Sequence, residues 1–83
     1  MDTHSIEHIE NKIKLLLVMQ GYDKKEIRFK NSSGGRILQY GYWKYLDSED
    51  IMYIQDNANV ILIPREWEDE DTGNLVGYEI KTK

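Results

Sequence analysis

The sequence predicts an α+β fold: one N-terminal amphipathic helix packed on a small antiparallel sheet of about four to five strands built from hairpins. Three observations carry this expectation. Apolar residues recur at three- and four-residue spacing over the first twenty positions, the period shifts to two from Ile27, and Gly-, Asn- and Asp-containing clusters then punctuate the chain at hairpin intervals.

The helix is expected from Thr3 to about Gln20. Ile6, Ile9, Ile13, Leu16 and Leu17 form its apolar stripe, while Glu7, Glu10, Asn11, Lys12 and Lys14 fall mainly on the other side. Thr3 or Ser5 suits its N-cap, and Gly21 suits the left-handed residue that ends it. Leu15–Met19 is apolar all round, which predicts cover on more than one side and makes a homodimer worth considering. Asp23-Lys24-Lys25-Glu26 has the form of a capping box, so a single helical turn is expected before the first strand.

Ile27–Lys30 alternates, Ser32-Ser33-Gly34-Gly35 is a turn cluster, and Arg36–Tyr45 resumes the alternation. A loop of two or four residues centred on Ser33-Gly34 sets Asn31 opposite Arg36, so that one face carries Ile27, Phe29, Leu38 and Tyr40 and the other Arg28, Lys30, Gln39 and Trp43. An odd loop would reverse that pairing. Between Leu46 and Asn59 two readings compete. Asp47-Ser48-Glu49-Asp50 suits a helix start, whereas Ile51-Met52-Tyr53-Ile54 has strand composition, and the strand is preferred. Val60–Ile63 is a β-branched run expected to be buried on both faces, and Pro64 requires a bulge or an exposed edge there. A four-residue turn at Asp71–Asn74 then returns the chain as a last strand, with Trp67 facing Tyr78. No internal repeat or linker is evident, so residues 1–83 are read as a single domain.

Composition narrows the class. Eighty-three residues with 40% apolar and 31% charged side chains suffice for one modest core, and a chain of this size buries about 60–65% of its unfolded surface. The absence of cysteine removes thiol catalysis, thiolate metal sites and disulfides, which fits a reducing, cytoplasmic location. No apolar run is long enough for a membrane span, and the start lacks the basic region of a signal peptide. The net charge of −4 is unevenly distributed: residues 23–45 hold six basic and two acidic side chains, and residues 46–83 hold three and ten.

Three constellations bear on function. His4-Ser5-Ile6-Glu7-His8 has the H-x-x-E-H form of a zinc hydrolase, with two histidines one helical turn apart and a glutamate near the bound water. Its place in the first helical turn of a short chain leaves little to wall a catalytic zinc, even with Glu10 or Glu79 as a third ligand. The second constellation interleaves basic and aromatic side chains. Arg28, Lys30, Arg36, Trp43 and Lys44 offer phosphate contacts and a stacking platform for single-stranded nucleic acid. The third is acidic: Glu66, Trp67, Glu68, Asp69, Glu70 and Asp71 form a charge array suited to docking on a basic protein. Its Asp69-x-Asp71-x-Gly73 fragment lacks the glycine and glutamate of a calcium loop.

The expectation is a non-catalytic protein-interaction domain without metal or cofactor. It would dock its acidic surface on a larger, basic, nucleic-acid-handling partner, in the manner of small inhibitors made by phages and mobile elements. Nucleic-acid binding through the first hairpin is the alternative, and a zinc hydrolase stands third.

Overall fold

The computed structural model describes residues 3–32, 35–42, 44–71 and 73–83, and only the backbone at residues 3–5 and 32. The chain runs α1 (Thr3–Met19), a 3-10 turn (Lys24–Glu26), β1 (Ile27–Ser32), β2 (Gly35–Tyr40), α2 (Ser48–Ala58), β3 (Val60–Asp69) and β4 (Gly73–Thr82). The four strands make one antiparallel sheet in the order β1-β2-β4-β3, and both helices lie on one of its faces. This is the α+β arrangement expected, with two helices in place of one.

Helix α1 buries the predicted stripe through Ile13, Leu16 and Leu17. It ends as a Schellman motif, because Gly21 at φ +99° lets its N–H reach the Val18 carbonyl while the Tyr22 N–H reaches that of Leu17. The all-apolar end is covered on one side only: Leu15 and Met19 remain 60% and 64% exposed, against the expectation of wider cover. The predicted single turn follows, with the Asp23 carboxylate accepting from the Lys25 N–H at 2.9 Å. In the first hairpin Asn31 pairs with Arg36 and Phe29 with Leu38, the register predicted from the alternation.

The preferred strand at 47–56 is corrected to helix. Asp47 takes the extended conformation of an N-cap, Glu49 and Asp50 place negative charge in the first turn, and Asn59 closes the end at φ 56°. Ile54 and Ala58 are buried and Ile51 is partly buried, while Met52 and Tyr53 face outward. The helical period therefore outweighs the β-branched composition of Ile51–Ile54.

Two expectations for the last hairpin also change. Val60 and Leu62 are buried, but Ile61 is 43% exposed, because β3 is an edge strand covered by helices on one face only. Pro64 lies on that edge strand, where its missing N–H costs no ladder bond on the open side. The connection leaves Asp69 opposite Gly73, so Trp67 pairs with Leu75 and Pro64 with Tyr78. Relative to the expected pairing this is an odd shift, and it moves Trp67 to the face opposite Tyr78.

The topology also reveals a repeat. Each half is α-β-β, and the order β1-β2-β4-β3 is symmetric about the β2/β4 junction. Gly35-Arg36-Ile37-Leu38-Gln39-Tyr40 corresponds to Gly73-Asn74-Leu75-Val76-Gly77-Tyr78, and both leading glycines have positive φ. Both tyrosines turn to the helical side and cap a backbone N–H there: Tyr40 accepts from Asp23 and Tyr78 from Leu46, each at 2.9 Å. Ile37 pairs with Glu79 and Leu38 with Tyr78. The ladder ends there, the next bond running from the Val76 N–H to the Tyr42 carbonyl, and the counterpart of Gln39 in the repeat is Gly77.

Candidate nucleic-acid interface

Strand alternation decides what the helix-free face presents. Leu38, Tyr78, Ile27, Val60 and Leu62 belong to the core under the helices. Their neighbours Arg28, Lys30, Ile37, Gln39, Gly77, Glu79, Lys81, Arg65 and Trp67 therefore point to the open side. Four cations and two carboxylates, Glu79 and Asp69, share this face in a chain of net charge −4. Among the described residues, the other acidic side chains lie on the helical layer and its connections or at the tip of the second hairpin.

Trp67 reaches across the sheet from the edge. A Cβ at Gly77 would stand 3.0 Å from the tip of its ring and 2.7 Å from Ile37 Cγ2, so glycine is what lets the tip of the indole approach β4. Beyond it the Lys30 ammonium sits 5.2 Å from the ring centre, joining the two edge strands across the sheet. Alongside, the Arg28 guanidinium lies 4.9 Å from the centre of the Tyr42 ring. This yields two cation–aromatic pairs side by side on one surface. Stacking on Arg planes and on indole or phenol rings is the sequence-tolerant way to hold unpaired bases.

Glu79 is 5% exposed and lies 3.4 Å from both Arg65 Nη2 and Lys81 Nζ, whose side chains remain 52% and 56% exposed. The carboxylate holds two cations by their inner side while their outer side faces solvent, an arrangement that suits phosphate contact. Gln39 is 2% exposed, and its Nε2 has no hydrogen-bond partner among the described residues. A buried donor left unpaired is uncommon in a folded protein.

The residues singled out in the sequence are redistributed by this geometry. Arg28 and Lys30 stand together as expected. Arg36 is on the helical face, where its Nη2 donates to Glu10 Oε1 at 2.8 Å and that bond raises its pKa further. Lys44 places its ammonium 5.5 Å from the Tyr40 ring at the end of the sheet, and Trp43 lies outside the described residues. In the acidic set, Glu66 and Glu68 point to the face opposite Trp67, while Glu70 and Asp71 are exposed at the tip. Asp69 there accepts from the Asp71 N–H at 2.8 Å.

Glu7 and His8 are exposed, the His4 side chain lies outside the described residues, and Glu10 and Glu79 are separated by the thickness of the sheet. Among the described residues no group of three or more His, Cys, Asp or Glu is placed to share a metal ion, and no helix is long and apolar enough to cross a membrane. The sequence reading did not place Arg65, Lys81, Gly77 or Trp67 on the basic face. The shared glycine-to-tyrosine pattern of β2 and β4 would have set Gly77 and Lys81 on that face, but not Arg65 and Trp67, because Gly35 pairs three residues back with Ser32 whereas Gly73 pairs four residues back with Asp69. No protein-family model, curated protein or solved structure matches the chain. Function is therefore argued from this surface.

Proposed function

We propose that this protein is a non-catalytic binding protein that holds single-stranded nucleic acid on the open face of its sheet. The observation that carries the reading is the pairing of Arg28 with Tyr42 and of Lys30 with Trp67 on one helix-free surface, flanked by Arg65 and Lys81. The cations contact the phosphates, and the guanidinium and indole planes receive the bases. The cysteine-free composition fits action in the cytoplasm.

The test is fluorescence anisotropy with a labelled single-stranded oligonucleotide. Three or four phosphate contacts predict a salt slope of about −2 to −3, so affinity falls roughly 20- to 50-fold between 50 and 200 mM salt. Arg28→Ala combined with Trp67→Ala removes binding. Absence of binding at low salt disposes of the reading.

A second reading rests on the arm formed by β3 and β4, which are 10 residues long against 6 in the first hairpin and carry exposed Glu68, Glu70 and Asp71 to its end. Such an arm suits docking on a basic protein surface. In that case reversing those three carboxylates to lysine abolishes partner capture and leaves oligonucleotide binding intact or stronger.

A further inference from the structure

We infer that the Gln39 side-chain amide at the centre of the open face is a base-reading group, and that its ligand is the edge of one unpaired nucleobase bearing a carbonyl acceptor. The inference rests on the nucleic-acid reading above and assigns the part of that surface that tells a base from bare backbone.

Gln39 follows directly on the β2/β4 ladder at the middle of the sheet, and its counterpart in the repeat, Gly77, has no side chain. Its partner on β1 is Arg28, and on β4 Gly77 follows the last residue paired with β2, Tyr78 opposite Leu38, toward the same end of the sheet. It is 2% exposed, yet its Nε2 has no partner among the described residues. Leaving such a donor unpaired is a standing penalty on the free fold, and an apolar side chain of the same length would avoid it. A ligand that supplies an acceptor removes the penalty only while bound, so the amide contributes to recognition and not to stability.

The indole over Gly77 is a side chain and can swing aside without breaking the sheet. Trp67 rests above Gly77 with no Cβ beneath it, held from the far side by Lys30. Rotation of the indole away from Gly77 opens a slot beside Gln39. A base entering there stacks on the turned indole and presents its edge to Nε2, while the Lys30 ammonium is released to a phosphate. Thymine and uracil carry carbonyl oxygens on the edge that an incoming base would present, and a bare sugar-phosphate chain carries none.

The experiment compares oligodeoxythymidylate with an abasic deoxyribose-phosphate chain of equal length, for the unaltered protein, Gln39→Met and Gln39→Leu. The unaltered protein is expected to prefer the thymidylate. In Gln39→Met that preference falls about fivefold, the worth of one hydrogen bond, while abasic binding is unchanged and the thermal midpoint is equal or higher. In a Trp43→Phe background, Trp67 emission should respond to thymidylate and not to the abasic chain. If neither chain binds, the nucleic-acid reading itself fails. If both bind but the preference survives in Gln39→Met, that reading stands and the assignment of Gln39 is overturned. Loss of stability in both Gln39 variants also overturns it, because the amide then has a partner in the free fold.

Discussion

Placing a single methyl group at Gly77 tests the architecture of the open face at its centre. In an ordinary strand, Gly→Ala is favourable by about 0.5–1 kcal/mol, because alanine has less backbone freedom to lose on folding. Here the new Cβ would lie 2.7 Å from Ile37 Cγ2, 3.0 Å from Trp67 Cη2 and 3.2 Å from the Leu38 carbonyl oxygen. The indole is the tip of a long side chain and can lift away. Ile37, 3% exposed, has little room to move, and the Leu38 oxygen belongs to the backbone of a central strand. Overpacking of this kind costs about 1–3 kcal/mol, so the net expectation for Gly77→Ala is a loss of about 1–2 kcal/mol. For a chain of this size that lowers the thermal midpoint by about 4–15 °C. Thermal unfolding followed by circular dichroism gives the stability, and Trp67 emission in a Trp43→Phe background reports the lifted ring as a red shift. A midpoint at or above the parent's with unchanged emission would refute the placement of Trp67 over Gly77.

Two further predictions address the helical layer. Asn59 closes α2 in the left-handed region at φ 56°, so Asn59→Ala should lose about 1 kcal/mol in denaturant unfolding while Asn59→Gly stays near the parent; equal loss in both would contradict the cap. Tyr22 donates to Asp50 at 2.7 Å and accepts from the Asp47 N–H, and burial followed by the Asp50 bond pushes its pKa up to about 12. The folded chain thus holds the phenolic proton more tightly than the unfolded chain does. The stabilisation is complete below pH 10 and is lost as pH rises through about 12, with Tyr78, raised by burial, acting in the same direction. Denaturant midpoints should fall over that window, less steeply in Tyr22→Phe, and an identical profile in that variant would contradict the assignment.

Legibility in the sequence followed the range of the interactions. The α1 stripe, the Gly21 stop and the Asp23 cap depend on residues within a few positions of one another, and all are readable from local chemistry. The first hairpin was readable for the same reason, since its short connection sets the pairing of Asn31 with Arg36. Segment 48–58 was misread because Ile51–Ile54 has strand composition, and only the packing of Ile54 and Ala58 against the sheet selects the helical period. The candidate surface was half legible. Arg28 and Lys30 follow from the alternation of their own strand, but the position of Trp67 depends on a hairpin register whose odd shift decides the face.

The sequence by itself determined the α+β class, the placement of α1 and the first hairpin, and the uneven charge along the chain. Tertiary structure decided how that charge is distributed in space. Strand order brings β1 and β3 to opposite edges, and the glycine at position 77 lets Trp67 span the gap between them, so a hairpin rich in carboxylates delivers its indole and Arg65 to the same face as Arg28 and Lys30. The division is therefore less between a basic and an acidic hairpin than between a cationic open face and an acidic helical layer. The cause is the two-residue period of the strands, which sends neighbours in sequence to opposite sides of the sheet.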